Sequence, residues 1–292
     1  MNALIFLIVF PLCIAGLALV LPLGTALRRT IGVIANIVLA AVPIYLLVTY
    51  LDRGPVYFHL ESHVANISML VVEVLIAAFI VYISLRSKQY LCILLVVVQS
   101  MIMLTFEFTA GGTMKVEHSL FVDKFSIIMA LIVGIIGSAI CLYAIGYIPE
   151  YHEHHKEVKD RRRYFAFLIY LFLSAMFGIV FSNNLIWLYF FWEITTICSA
   201  LLIGYRNDKQ SIESLFRALK MNLLGGVVFA IGLVYLYTFS HTMELDKLIR
   251  LDQSYALLPA VCIAFANAAL SSGTTPKYTG LPPLSITAVL ML

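Results

Sequence analysis

Glu193 is the residue of this sequence that is best placed to do chemistry. It lies near the middle of a stretch, Asn184 to Tyr205, that is otherwise apolar or weakly polar and long enough to cross a bilayer as a helix. A carboxylate near the bilayer centre costs about +2.5 to +3.5 kcal/mol on insertion scales unless it is protonated, hydrated or paired. An acid kept at that depth is therefore a candidate for a proton or ion path.

Three further ionisable residues lie inside apolar segments and complete the predicted ion path. Glu73 lies well inside one segment, while Arg217 and Lys220 lie three residues apart near the start of another and share a helix face. A basic partner whose charge or position varies would switch the proton affinity of Glu193. The alternative for both basic residues is that they extend to the cytoplasmic interface, with Glu213 as a local ion-pair partner of Arg217.

The composition predicts the fold class. The chain is 62% hydrophobic and 12% charged, with a mean hydropathy of +0.98. Apolar runs of about 20 residues recur along it without the alternation typical of strands, which predicts an all-α polytopic transmembrane bundle of eight or nine helices. The predicted segments are 3–24, 30–50, 66–85, 89–109, 122–148, 164–182, 185–205, 213–238 and a short ninth at 256–270.

The loop charges predict the orientation and exclude one class of partner. Most of the loop Lys and Arg residues follow odd-numbered segments, so the positive-inside bias places those loops in the cytoplasm and the N-terminus outside. The net charge of +3 is spread along this cytoplasmic edge, so the composition calls for no nucleic-acid partner.

The sequence predicts no cofactor and no metal. All five cysteines lie within apolar runs, and none forms a CxxC pair, so they are interpreted as small buried hydrophobic residues rather than iron–sulfur or zinc ligands. No motif for a nicotinamide, flavin or quinone is present. The polar loop 149–163 contains His152, His154 and His155, which suit either a metal site or a basic loop that contacts lipid headgroups or a partner subunit.

Several motifs together carry a family resemblance. The segments Phe121–Ser126, Phe181–Leu185, Phe191–Ser199 and Leu202–Tyr205 resemble the antiporter-like proton-channel subunits of respiratory complex I, Mrp cation/proton antiporters and energy-converting hydrogenases. The stretches 151–162 and 217–226 look most similar to the large membrane subunit of Ech-type [NiFe] hydrogenase. The resemblance runs from about 121 to 265.

The resemblance implies site residues and an organisation. The glutamate characteristic of the family falls on Glu193, and Lys220 is the best match for its lysine partner. Residues 1–110 are then N-terminal transmembrane helices, 111–265 an incomplete first half of the antiporter-like channel, and 266–292 a divergent tail. The family's lysine on a broken helix has no counterpart before Lys277. We therefore expect a truncated or frame-shifted product or, less simply, a split subunit completed by another chain.

Three functions remain open from the sequence. The first is a membrane subunit of a redox-driven complex, in which electron transfer in peripheral subunits drives proton or sodium translocation through membrane subunits without redox cofactors of their own. The second is a subunit of a Mrp-type antiporter, and the third is a structural fragment that does not transport. The first implies a prokaryotic cell (inner) membrane, with other membrane and peripheral subunits, the lipid bilayer and protons or sodium ions as partners.

Overall fold

A computed structural model describes residues 1–20, 25–51, 53–59, 63–110, 116–154 and 160–249. Eight long helices form almost the whole of this part of the chain. All eight are long and apolar enough to cross a membrane. The predicted all-α, multi-pass bundle is thus confirmed. The helices are α1 (Asn2–Val20), α2 (Thr25–Tyr50), α3 (His63–Arg86), α4 (Tyr90–Ala110), α5 (Lys124–His154), α6 (Arg162–Phe181), α7 (Leu185–Ile203) and α8 (Lys209–Ser240).

Each of the first eight predicted segments corresponds to one helix. The ninth segment at 256–270 and the tail 266–292, with Cys262 and Lys277, lie outside the described residues. The proposed boundaries at 110/111 and 265/266 stay predictions. Of the four cysteines in the described residues, three are buried, but Cys13 is exposed on α1 and corrects the expectation of burial for that residue.

Two helices are longer than their apolar runs because local contacts extend them. In α5, Tyr143, Tyr147 and Tyr151 follow one another at four-residue spacing, with ring centroids 5.4 Å and 6.0 Å apart, and this ladder continues the helix past Pro149. In α8, the Asp208 side chain accepts a hydrogen bond of 2.8 Å from the Ser211 N–H. This N-cap starts the helix four residues before the predicted segment.

The connections after α2, α4, α6 and α8 meet at one end of the bundle. There β1 (Val56–Phe58) pairs antiparallel with β2 (Leu120–Val122), Leu120 also bridges to Ser182, and Asn184 bridges to Glu244. The helices therefore cross the bundle in alternating directions. We name this end the outer end, following the orientation that the loop charges predict, and the opposite end the inner end.

Helix α7 is placed where it can present Glu193 to several neighbours. It packs against α6, α8 and α3, while α4 packs against α8 and α3. Helices α1 and α2 pack on α6 and α5. The side chains of α7 that face these neighbours are buried, from Leu185 near the outer end to Ala200 near the inner end.

Gly178 sets the close approach of α6 to α7. A Cβ at this position would lie 2.5 Å from three ring atoms of Phe191, a distance that side chains do not tolerate. Because Phe191 is buried and lies two residues before Glu193, a shift of its ring would move the segment that carries the acid.

We expect Gly178→Ala to lower the stability of the folded protein. Overpacking of this kind costs about 1–3 kcal/mol, so the thermal midpoint of the purified protein in detergent should fall. The matched control is Gly146→Ala in α5, where a Cβ would meet nothing within 4 Å. Equal midpoints for the two variants would contradict the packing described here.

Candidate ion-path site

The Glu193 side chain lies halfway along α7. It is eight residues from Leu185, about 12 Å along the helix axis, in a helix of 19 residues. Tyr189 and Thr196 share its face because they lie one turn before and one turn after it. The Tyr189 side chain is fully buried, and its hydroxyl lies beside the Glu193 carboxyl. This face of α7 is thus a short polar column inside an apolar helix.

Gln99 on α4 is the direct partner of Glu193. Its amide nitrogen Nε2 donates a hydrogen bond to Glu193 Oε1. The Gln99 side chain is only 3% exposed, so its polar atoms are shielded from solvent. A hydrogen bond to a carboxylate is stronger than one between neutral groups, and losing one partner leaves the other buried and unsatisfied.

Gly226 on α8 makes room for this amide. A Cβ at Gly226 would lie 2.5 Å from Gln99 Oε1, 2.9 Å from Cδ and 3.1 Å from Nε2. At the neighbouring Gly225, a Cβ would meet nothing within 4 Å. Of the two glycines, Gly226 is therefore the one at which α8 closely approaches another helix.

A small cavity adjoins the carboxyl. Its polar lining consists of Glu193, Gln99, Trp192, Thr196 and Asn222. The volume that the centre of a water molecule can occupy inside the cavity is about 10 Å³. That volume is close to what one water needs, and a buried water requires two to four polar partners. Within the described residues, Gln99 Oε1 and Trp192 Nε1 are buried without a protein partner. The cavity thus offers both an acceptor and a donor to one water molecule.

Two further acids extend the site toward the outer end. Glu73, buried on α3, interacts electrostatically with Glu193 and with Glu107. Glu107 is half-buried near the outer end of α4. Glu73 therefore lies within electrostatic range of Glu193 and of Glu107, so that a proton gained at one of these groups changes the proton affinity of the next.

The two predicted basic residues lie nearer the inner end of α8 than Gly226 does. Lys220 is half-buried and close enough to Cys92 of α4 to act on it electrostatically. It precedes Gly226 by six residues, so it lies about 9 Å nearer the inner end along α8. The ion pairs and hydrogen bonds of the described residues include none between Lys220 and Glu193, and none between Glu213 and the exposed Arg217.

The sequence contained weak signals for the residues that it did not single out. Gln99 is an amide in the middle of an apolar run, and Tyr189 lies one helical turn before the acid. Thr196 follows Glu193 by three residues, and Asn222 follows Lys220 by two residues. Polar residues at such positions are also common in ordinary helix packing. Only the arrangement of the helices shows that these side chains lie beside Glu193.

Asn183 fixes the outer end of α7. Its backbone N–H donates to Ser119 O (2.9 Å), its side chain donates to His118 O (2.9 Å), and its carbonyl accepts from Leu245 N (2.8 Å). The Asn184 side chain then caps α7 by accepting from the Ile186 N–H. The paired asparagines thereby tie the connections after α4 and α8 to the start of the helix that carries Glu193.

A buried carboxylate at the outer end is held by a lysine. Glu244 accepts hydrogen bonds from the Glu117 N–H (2.8 Å) and from Lys247 Nζ (3.0 Å), and Lys247 Nζ also donates to Glu117 Oε2 (2.9 Å). His118 Nδ1 lies 3.8 Å from Glu244 Oε2. We name Glu117, His118, Glu244 and Lys247 the outer cluster. Its two acids and histidine lie close enough together to share a metal ion, but the Lys247 ammonium already bridges the two carboxylates and offsets one of their two negative charges.

The loop histidines have separate partners in the structure. His152 Nε2 lies 2.8 Å from the Tyr205 hydroxyl, and His154 Nδ1 lies 3.0 Å from Glu150 O. His155 lies outside the described residues. The contact between His152 and Tyr205 joins α5 to the end of α7 at the inner end.

Sequence profiles of two related families match this chain. The family described as "NADH:quinone oxidoreductase/Mrp antiporter, TM" matches residues 182–282, which include Glu193 and Lys220. The family described as "NADH-Ubiquinone oxidoreductase (complex I), chain 5 N-terminus" matches residues 108–165.

Individual relatives and one solved structure agree with these matches. The chain is 29% identical over 175 residues to one of the Na(+)/H(+) antiporter subunits of Alkalihalophilus pseudofirmus, covering 58% of this chain and 21% of the relative. It is 32% identical over 171 residues to one of the Na(+)/H(+) antiporter subunits of Staphylococcus haemolyticus, covering 57% and 20%. The chain therefore spans about one-fifth of the length of these relatives. A chain of the membrane-bound sulfane sulfur reductase, an archaeal respiratory membrane complex, shares the fold with a TM-score of 0.56 at 16% identity, covering 85% of this chain and 39% of that one.

The outer cluster should stabilise the fold in a defined pH range. The hydrogen bond and charge of Lys247 hold the pKa of Glu117 below its usual range. Burial opposes the charge of Lys247, but its bonds to Glu117 and Glu244 outweigh this and raise the pKa of Lys247. The stabilisation is thus complete between the unfolded values of about 4.3 for Glu and about 10.4 for Lys. It is lost as the pH falls through the folded pKa of Glu117 or rises through that of Lys247.

We expect Lys247→Met to reduce stability at pH 7, since it leaves the buried Glu244 carboxylate without its cationic partner. Glu244 keeps its hydrogen bond from the Glu117 N–H, and the loss of one partner of a buried polar group costs about 1–3 kcal/mol. The difference from the unaltered protein should narrow as the pH falls below the unfolded Glu value of about 4.3 and through the lowered folded pKa of Glu117. Thermal unfolding across a pH series measures this, with the exposed Lys124→Met as the control at the same end. A loss for Lys247→Met that does not depend on pH would contradict the electrostatic explanation.

Proposed function

We propose that this chain carries part of a proton or sodium path, with Glu193 as the group that takes up and releases the ion. The chain belongs to the antiporter-like family of membrane subunits that NADH:quinone oxidoreductases and Mrp antiporters share. It is a multi-pass membrane protein of prokaryotes. The observation that carries the proposal is a carboxyl group halfway across the bundle that is hydrogen-bonded by Gln99 and adjoins a cavity the size of one water molecule.

The proposed path runs through the polar groups between α3, α4, α7 and α8. From the outer end, the path would run from Glu107 by way of Glu73 to Glu193, and Glu73 lies within electrostatic range of the other two acids. On the inner side of Glu193, the water-sized cavity brings Thr196 and Asn222 within reach. Lys220, two residues from Asn222 on α8, is the next basic group, and the exposed Arg217 lies one turn beyond it.

We favour a redox-driven complex of the energy-converting hydrogenase or NADH dehydrogenase type as the setting of this path. The similarity of segments 151–162 and 217–226 to the Ech-type membrane subunit supports this choice. In such a complex, partner subunits perform the electron transfer, and this chain supplies a path without a redox group of its own. Partner membrane and peripheral subunits therefore form part of the proposal.

A Mrp-type antiporter is the second candidate. It is supported by the two bacterial relatives, both of which are named as Na(+)/H(+) antiporter subunits. The path through this chain would be the same in both settings, and only the driving force would differ. In an antiporter, the existing ion gradient drives exchange without any redox reaction.

Isolation of the chain from its native membrane separates the two settings. In mild detergent, a redox-driven subunit should co-purify with nickel- and iron-containing or other electron-transferring subunits. A Mrp-type subunit should co-purify with further antiporter subunits, and the same membranes should exchange sodium for protons without an electron donor. Recovery of the chain with antiporter subunits alone would overturn the redox-driven assignment and leave the ion path itself standing.

Glu193→Gln is expected to lower ion translocation by about 100-fold, the low end of the effect of removing a proton-transferring group. The substitution keeps the shape of the side chain and an oxygen that can accept from Gln99, so the fold should be retained. Ion uptake into vesicles of native membranes measures the effect, with the exposed Glu150→Gln on α5 as a control. Unchanged uptake in Glu193→Gln would instead favour the structural, non-transporting role.

A further inference from the structure

We propose that Gln99 is the positioning residue of Glu193, and that the absence of a side chain at Gly226 is what keeps its amide in place. The inference rests on the proposed function, because it concerns the carboxyl group that the ion path uses. It adds two residues, on two other helices, to the machinery of that path.

The first support is the position of Gln99 between two helices. Its Nε2 donates to Glu193 Oε1 on α7, while its Oε1 faces the backbone of α8 at Gly226. The amide is therefore confined on both sides, and the side chain is 3% exposed. A confined donor fixes the direction of its acceptor, which a mobile surface amide would not do.

The second support is the difference between the two adjacent glycines. A methyl group at Gly226 would overlap Oε1 and Cδ of Gln99 and crowd its Nε2, whereas one at Gly225 would meet nothing within 4 Å. The overlap at Gly226 cannot be relieved by a shift into solvent, since Gln99 is buried and Glu193 lies on its other side. A side chain at 226 would therefore push the amide away from the carboxyl or tilt α8 from α4.

The arrangement gives the two carboxyl oxygens of Glu193 different tasks. Oε1 is occupied by the amide N–H, which suits the carbonyl oxygen of a protonated carboxyl group as well as either oxygen of a carboxylate. Oε2 remains the oxygen that binds and releases the proton. The fixed amide thus sets on which side of the carboxyl group the proton is exchanged.

The alternative for Gln99 is a buried amide that serves packing alone, and a spectroscopic readout separates the two. In infrared difference spectra of the native complex, the C=O band of protonated Glu193 is the carboxyl band that disappears in Glu193→Gln. Loss of the hydrogen bond from Gln99 should move this band to higher wavenumber. A role in packing alone would leave the band in place.

The test compares Gln99→Met, Gly226→Ala and Gly225→Ala. Gln99→Met removes the amide but keeps an unbranched side chain of similar length, and it adds no bulk beside Gly226, so it tests the proposal even if Gly226→Ala folds poorly. We expect Gln99→Met and Gly226→Ala to shift the band and to lower ion uptake about 10- to 100-fold, the range expected when a reacting group is misplaced. Gly225→Ala should change neither.

The double variant Gln99→Met/Gly226→Ala provides a second check. If both single changes break the same hydrogen bond, the double variant should be about as impaired in ion uptake as Gln99→Met alone, because effects within one contact do not add. Multiplied losses would overturn the shared role of the two residues.

The results also separate this inference from the proposed function. An unshifted band and normal uptake in Gln99→Met, together with a strong loss in Glu193→Gln, would refute the positioning role and leave the ion path standing. Normal uptake in Glu193→Gln would refute the path itself.

Discussion

A carboxyl group at mid-membrane depth has to be supplied with hydrogen-bond partners from within the protein, and the central packing of this bundle meets that requirement for Glu193. Water is scarce at this depth, so each unsatisfied polar group costs several kcal/mol. The Gln99 amide satisfies one oxygen. Gly226 allows α8 to close over that amide, and Gly178 allows α6 to close behind Phe191, two residues from the acid. Glycines thus lie where α8 packs against the Gln99 amide and where α6 packs against Phe191.

The two ends of α7 are fixed by different means, and the polar column lies between them. At the outer end, Asn183 and Asn184 tie the start of α7 to the connections around Ser119 and Leu245. At the inner end, Tyr205 contacts His152 of α5. With both ends held, the cavity beside Glu193 is limited to about one water molecule. Such a site suits stepwise transfer between side chains and single waters rather than flow through an open pore.

The sequence predicted the helices and the central acid, because both follow from local properties of the chain. Runs of about 20 apolar residues identify membrane helices without knowledge of their neighbours, and a single acid in such a run is conspicuous. The contact of Gln99 with Glu193 was not predictable, since it joins residues 94 apart and depends on how two helices are rotated about their axes. The same limit applies to the pairing of Lys220 with Glu193, which the sequence suggests by family resemblance and which stays a prediction. The paired glycines looked equivalent in sequence, and only the position of α4 shows that Gly226 makes the contact.

The most direct test of the central claim is to follow the protonation of Glu193 during turnover. Infrared difference spectroscopy of the native complex, with and without its driving reaction or gradient, would monitor the carboxyl band that Glu193→Gln removes. If Glu193 carries the ion path, the band should appear and disappear as the complex alternates between its resting and energised states. A band that keeps its intensity while ions cross the membrane would contradict the account, because Glu193 would then be a fixed structural group.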